Sequence, residues 1–148
     1  MPKYAAAGIG SKAPDMRQFA AGQVSSLLGR MVFQMHRATR AHDPETIHDL
    51  RVSIRRFTQG GRVFRQFLPE REMKKMRRRL SEILALAAAV RDRDIAMELC
   101  AQAGLPETAP LVRTLSDRRE EAVRALREVL KRIEARDRSA RWRVRLGL

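Results

Sequence analysis

His48, Arg51, Arg55 and Arg62 lie three, four and seven residues apart within PETIHDLRVSIRRFTQGGRVFRQFL, residues 44–68. On a helix such spacings make close to whole turns, so the four side chains share one strip. From Arg51 to Arg62 the strip is roughly 17 Å long at about 1.5 Å per residue. A guanidinium offers a planar fork of N–H donors that fits phosphate oxygens, and an imidazole adds charge when protonated. Cations in a line match a linear polyanion better than a single phosphate. Only Glu45 and Asp49 are acidic in this stretch. Like charges three or four apart cost a helix about 0.2–0.5 kcal/mol per pair, a cost that a bound anion reverses. Arg65 falls at the edge of the apolar seam, and Arg56 faces further round.

The elements that must position this strip read as helices. Ile47, Leu50, Ile54, Phe57, Gly61, Phe64 and Leu68 recur at alternating steps of three and four, the spacing of a packed seam. Asp43 caps and Pro44 opens the helix, which is expected to run to Leu68, before Pro69. Gly60 and Gly61 fall inside it, either to kink it or to admit a close neighbour. Before it, Asp15 caps a first helix expected to reach Arg40, with Ala20, Val24, Leu27, Met31, Met35 and Ala38 inward. A third begins near Glu70 and carries Met73, Met76, Leu80, Ile83, Leu84, Ala87 and Val90. It either continues through AAAVRDRD or breaks there. A fourth is expected from Pro106 or Glu107 to Arg136, with Val112, Leu115, Ala122, Leu126, Val129 and Ile133 as its seam and Arg119 unusually on it. No strand pattern is present. The fold class expected is all-α, an antiparallel four-helix bundle with long helices. Residues 1–14 read as a flexible arm, 15–136 as the helical domain, and 137–148 as a basic tail.

The whole chain is strongly cationic. It has 31 basic residues against 17 acidic ones, for a net charge of +14, and only five of the basic residues are Lys. Coding bias explains an Arg preference but not a shortage of acids. The charge points to a polyanion: nucleic acid, an anionic membrane or a phosphate polymer. Lys74, Arg77 and Arg78 on the third helix and Arg119 on the fourth add to the strip, so three helices converge.

Other chemistry finds little support. One cysteine, Cys100, excludes an internal disulfide and is expected in the core. His36, His42 and His48 are six apart, a spacing that scatters them rather than forming a metal site. No catalytic constellation and no Gly-rich phosphate loop is readable. No enzymatic activity, cofactor or metal is therefore expected. No apolar run approaches the 18–20 residues or so of a membrane span, and the N-terminus lacks the apolar core of a signal peptide, so a cytoplasmic protein is expected.

IHDLRVSIRRFTQGGRVFRQFLP resembles the first signature of the CHAD domain, the conserved histidine α-helical domain. AVRDRDI is similar to its second, an Arg-Asp-x-Asp-hydrophobic run after the third helix. The resemblance covers about residues 16–135 and implies an all-helical fold, equivalent to one half of a CHAD domain, whose basic surface binds inorganic polyphosphate. Targeting to polyphosphate granules is one role it would serve. Carried over, His48, Arg51, Arg55 and Arg56 belong to the binding helix. Arg91, Asp92 and Asp94 form the second motif, where an Asp can hold a basic side chain in place. With Arg62, Lys74, Arg77, Arg78 and Arg119 these basic residues make the expected binding set. Two departures stand out. The family pattern pairs two four-helix halves where this chain shows one, so a homodimer is expected to rebuild the pair. Ser81 and Ala88 occupy places where the family commonly has a basic residue and a glycine.

Two alternatives stay open. A nucleic-acid-binding helical protein suits the charge, although stacking aromatics are scarce. A histidine phosphotransfer module would use His48, but the surrounding arginines exceed what a phosphohistidine needs.

Overall fold

The computed structural model describes residues 15–136 and 138–148; the expected arm at 1–14 lies outside the described residues. The described residues form five α-helices and one 3-10 turn: α1 (Met16–Ala38), α2 (Pro44–Val63), the turn Arg65–Phe67, α3 (Glu70–Gln102), α4 (Pro110–Ala135) and α5 (Arg138–Leu146). The fold is all-helical.

Local chemistry sets the starts. The Asp15 carboxylate accepts from the Arg17 N–H, and the Asp43 carboxylate accepts from the N–H of Thr46. Pro44 then takes the first position of α2, where a missing N–H costs nothing. The Thr46 hydroxyl also donates to Asp43 Oδ1 at 2.7 Å. These bonds, the Thr46 hydroxyl first, hold the Asp43 carboxyl below its ordinary range.

α2 stops at Val63, five residues short of the expected end. Phe64 leaves helical geometry and meets Phe19 edge-to-face, with ring centroids 6.2 Å apart. The tight 3-10 turn then delivers Leu68 into the core. Gly60 and Gly61 stay within the helix and serve close approach: a Cβ on either would collide with Leu27 or Met73 respectively. Leu27 thus lies over Gly60 rather than fully inside, and Leu28 takes the buried position. α3 runs unbroken through the RDRD segment. α4 begins at Pro110, after Gly104 turns the chain with a φ of 79° that favours glycine.

The core joins Val24, Leu28, Met31 and Met35 of α1 to Ile47, Leu50, Ile54 and Phe57 of α2. Met76, Leu80, Ile83 and Val90 of α3 and Leu126, Leu130 and Ile133 of α4 complete it. α1 packs chiefly on α2 and α3 on α4, while α2 and α3 join the two pairs. Along α1 and α2 the contacts run in reverse order: Phe19 with Phe64, Leu27 with Gly60, Arg37 with Asp49.

Two expectations are corrected. The tail expected at 137–148 is overturned over 138–148, because α5 buries Trp142 and Leu146 in the common core. Arg143 donates to Ser25 Oγ at 2.7 Å, and Arg145 approaches Glu72 at 3.7 Å, so α5 is tied to both α1 and α3. Cys100 is only half-buried, because the buried face of α3 ends at Asp94.

Candidate functional site

The flank of α2 that carries the strip faces the side of α3. Arg62 and Arg65 of the α2 end and Arg77 of α3 line one groove of about 520 Å³, together with Glu70, Gly61, Leu68 and Met73. Gly61 is what lets α3 come close enough to form it. Arg55 and Arg51 continue the strip up α2, about two and three turns above Arg62, and His48 stands exposed at its far end. On α3, Ser81, Ala85 and Ala88 follow Arg77 at helical spacing along the same flank, and all three have short side chains. Lys74 and Arg78 are exposed, and Arg91 is half-buried.

Charge pairing is confined to other surfaces. Asp49 is turned to the α1 side, where Arg37 donates to it at 3.1 Å. Glu72 binds Lys75 at 3.0 Å, a bond that chiefly keeps the Glu72 carboxyl below its ordinary range. His36 pairs with Glu134 at 2.8 Å. Among the described residues, Arg51, Arg55, Arg62, Lys74, Arg77, Arg78 and Arg91 make no salt bridge. The Nε of Arg51 is buried without a hydrogen-bond partner. An unpaired buried donor is costly, and an acceptor brought in from outside would satisfy it.

Two residues of the expected set sit apart from this row. Arg56 lines a different groove, between α1 and α2, with Arg30, Phe33 and Val52. Arg119 is committed inside the protein: its Nε–H donates to the buried Asp94 carboxylate, and an NH2 donates to the carbonyl of His42. Asp94 lies mid-helix and holds a basic side chain across the α3–α4 contact, the role that the second motif implies for an Asp. The His42 ring beside them has its pKa lowered, first by burial and then by Arg127 and Arg119. Arg65, left outside the expected set, lines the groove. Its place at the seam edge was visible in the spacing; its exposure follows from the 3-10 turn. Among the described residues no three potential metal ligands come together, and no helix is long and apolar enough to cross a membrane.

An all-helical domain with an unpaired basic row beside a groove is the class that fold and site define. The family model described as the CHAD domain matches residues 23–147, so the chain belongs to the CHAD-domain family. Nothing matches among the curated proteins or the solved structures.

Proposed function

We propose that the protein binds inorganic polyphosphate along the α2–α3 groove, without catalysing a reaction. The family is linked in general to polyphosphate. The observation that carries the finer reading is the row Arg51, Arg55, Arg62 and Arg77, cations from two helices with no acid within salt-bridge distance among the described residues. Arg65 widens the lower end, and Lys74, Arg78 and Arg91 surround the row. α1–α4 serve as the four-helix antiparallel half that presents it. A cytoplasmic protein held at polyphosphate granules would use such a row.

A direct comparison tests this: affinity for long polyphosphate, single-stranded DNA and duplex DNA in one buffer. Tighter binding of polyphosphate at equal charge supports the proposal. Equal affinities would replace it with the nucleic-acid reading. In either case the log of the affinity falls with the log of salt, because each neutralised phosphate releases counterions.

We infer a homodimer from a separate surface. Trp142 and Leu146 lie inside the core and are not available to a partner. The outer ends of α3 and α4 instead expose Ile95, Leu99, Leu105 and Leu111 at 40–58%. Residues 92–121 hold seven acidic and four basic residues in a chain of net charge +14. A second cationic copy meets the least repulsion there while covering apolar area. Sedimentation of the parent and of Leu99→Glu at micromolar concentration decides it. A parent monomer would overturn the dimer and leave the groove reading standing.

A further inference from the structure

A second basic cluster lies on the other flank of α3. Arg79 is two residues from Arg77, which turns it just over half-way round the helix and away from the groove. It meets Arg132 and Arg136 of α4 and Arg138 of α5 around a cavity of about 150 Å³, with Val129 and Ile133 also lining it and, among the described residues, Glu82 as the acid there. Residues 79 and 138 are distant in sequence; the elbow in which α5 packs against α4 and α3 brings them together.

We propose that this elbow is a separate binding site for a compact phosphate anion, a diphosphate or the end of a phosphate chain. Among the described residues none of the four arginines makes a salt bridge. Among those residues their one side-chain hydrogen bond is a long one, Arg132 Nε to the Glu128 carbonyl at 3.4 Å. Water's share of liquid volume is about 30 Å³, so the cavity has the room of roughly five waters. That leaves room for one or two phosphate groups. Planar guanidinium forks from three helices can each take two oxygens of such a group.

A structural role accounts for only half of the cluster. Arg132 and Arg136 close α4, where cations complement the negative helix end. Arg138 opens α5, the end at which a cation is disfavoured. Its guanidinium lies below its ordinary range, first from burial and then from Arg79, Arg136, Arg141 and Arg145. Arginine keeps its proton in proteins, so this crowding persists as positive potential rather than being relieved by deprotonation. An anion in the cavity relieves it.

The site shares phosphate chemistry with the groove but uses different side chains, so titration can separate the two. Pyrophosphate and long-chain polyphosphate are titrated into the parent, into Arg79→Gln with Arg138→Gln, and into Arg51→Gln with Arg55→Gln. The parent is expected to bind pyrophosphate. The elbow pair should lose at least tenfold in that affinity, while the groove pair stays within about twofold. Should the elbow pair fail to fold, Arg79→Lys with Arg138→Lys keeps the charge and removes the forks, and a loss of at least threefold is expected. No pyrophosphate binding by the parent, or a loss confined to the groove pair, overturns the elbow site. The groove reading is judged separately, on long polyphosphate and the groove pair. Pyrophosphate binding that survives there but fails in the elbow pair supports the elbow even if the long polymer does not bind. Elbow variants that also weaken the long polymer identify the ligand as a chain end; an effect on pyrophosphate alone identifies a free diphosphate.

Discussion

Arg119 of α4 donates to the buried carboxylate of Asp94 of α3, and the same guanidinium reaches the His42 carbonyl between α1 and α2. One side chain therefore ties three segments together. Arg119→Ala strips Asp94 of that partner and leaves its charge uncompensated in the interior. Breaking a buried pair in this way costs about 3 kcal/mol. A urea melt is expected to show that loss, with polyphosphate affinity unchanged in the folded protein. A weakened affinity with stability intact would return Arg119 to the binding set.

Arg51 and Arg55 are expected to behave in the opposite way. Arg51→Ala and Arg55→Ala should leave the helical circular dichroism intact, because neither side chain belongs to the core. Each should weaken polyphosphate binding and lower the log–log salt slope by about 1, the signature of one lost phosphate contact by analogy with nucleic acids. A variant that unfolds while its folded fraction keeps full affinity marks a structural residue instead.

His42 makes folding depend on pH. Its neutral form is favoured in the folded protein, while the unfolded chain takes up a proton around the ordinary value of 6.5. Between that value and the lowered folded one, the unfolded state binds more protons, so stability rises with pH. From about pH 7.5 to 5.5 the urea midpoint of the parent should therefore fall more than that of His42→Asn. Equal slopes would remove His42 as the cause.

Trp142 is the chain's one tryptophan and is 2% exposed. Its native emission should be blue-shifted and should move red with the same urea midpoint as the loss of helix. Trp142→Ala is expected to cost about 3–5 kcal/mol by opening a cavity between α5 and the rest. Red-shifted native emission, or a small loss of stability, would detach α5 from the core.

Much of this protein follows from short-range patterns. Asp15, Asp43 with Pro44, and Pro69 mark helix boundaries because caps and proline act on the backbone within a few residues. Ile47, Leu50, Ile54 and Phe57 announce the buried side of α2 through their spacing alone, and that seam places Arg51, Arg55 and Arg62 on its flank. The motifs around His48 and Arg91 carry the family. Tertiary contacts decided what periodicity leaves undetermined. The flank of α2 that meets α1 and the flank that meets α3 look alike in sequence, yet this choice sends Arg56 to one groove and Arg62 to another. Arg119 reads as one more cation until Asp94, 25 residues away, takes it. Two apolar side chains four apart in a run of arginines signal little, so α5 became legible only once Trp142 and Leu146 met the core. The elbow joins Arg79 to Arg138 for the same reason: a helix pattern reports on neighbours three and four residues away, and packing alone selects the distant ones.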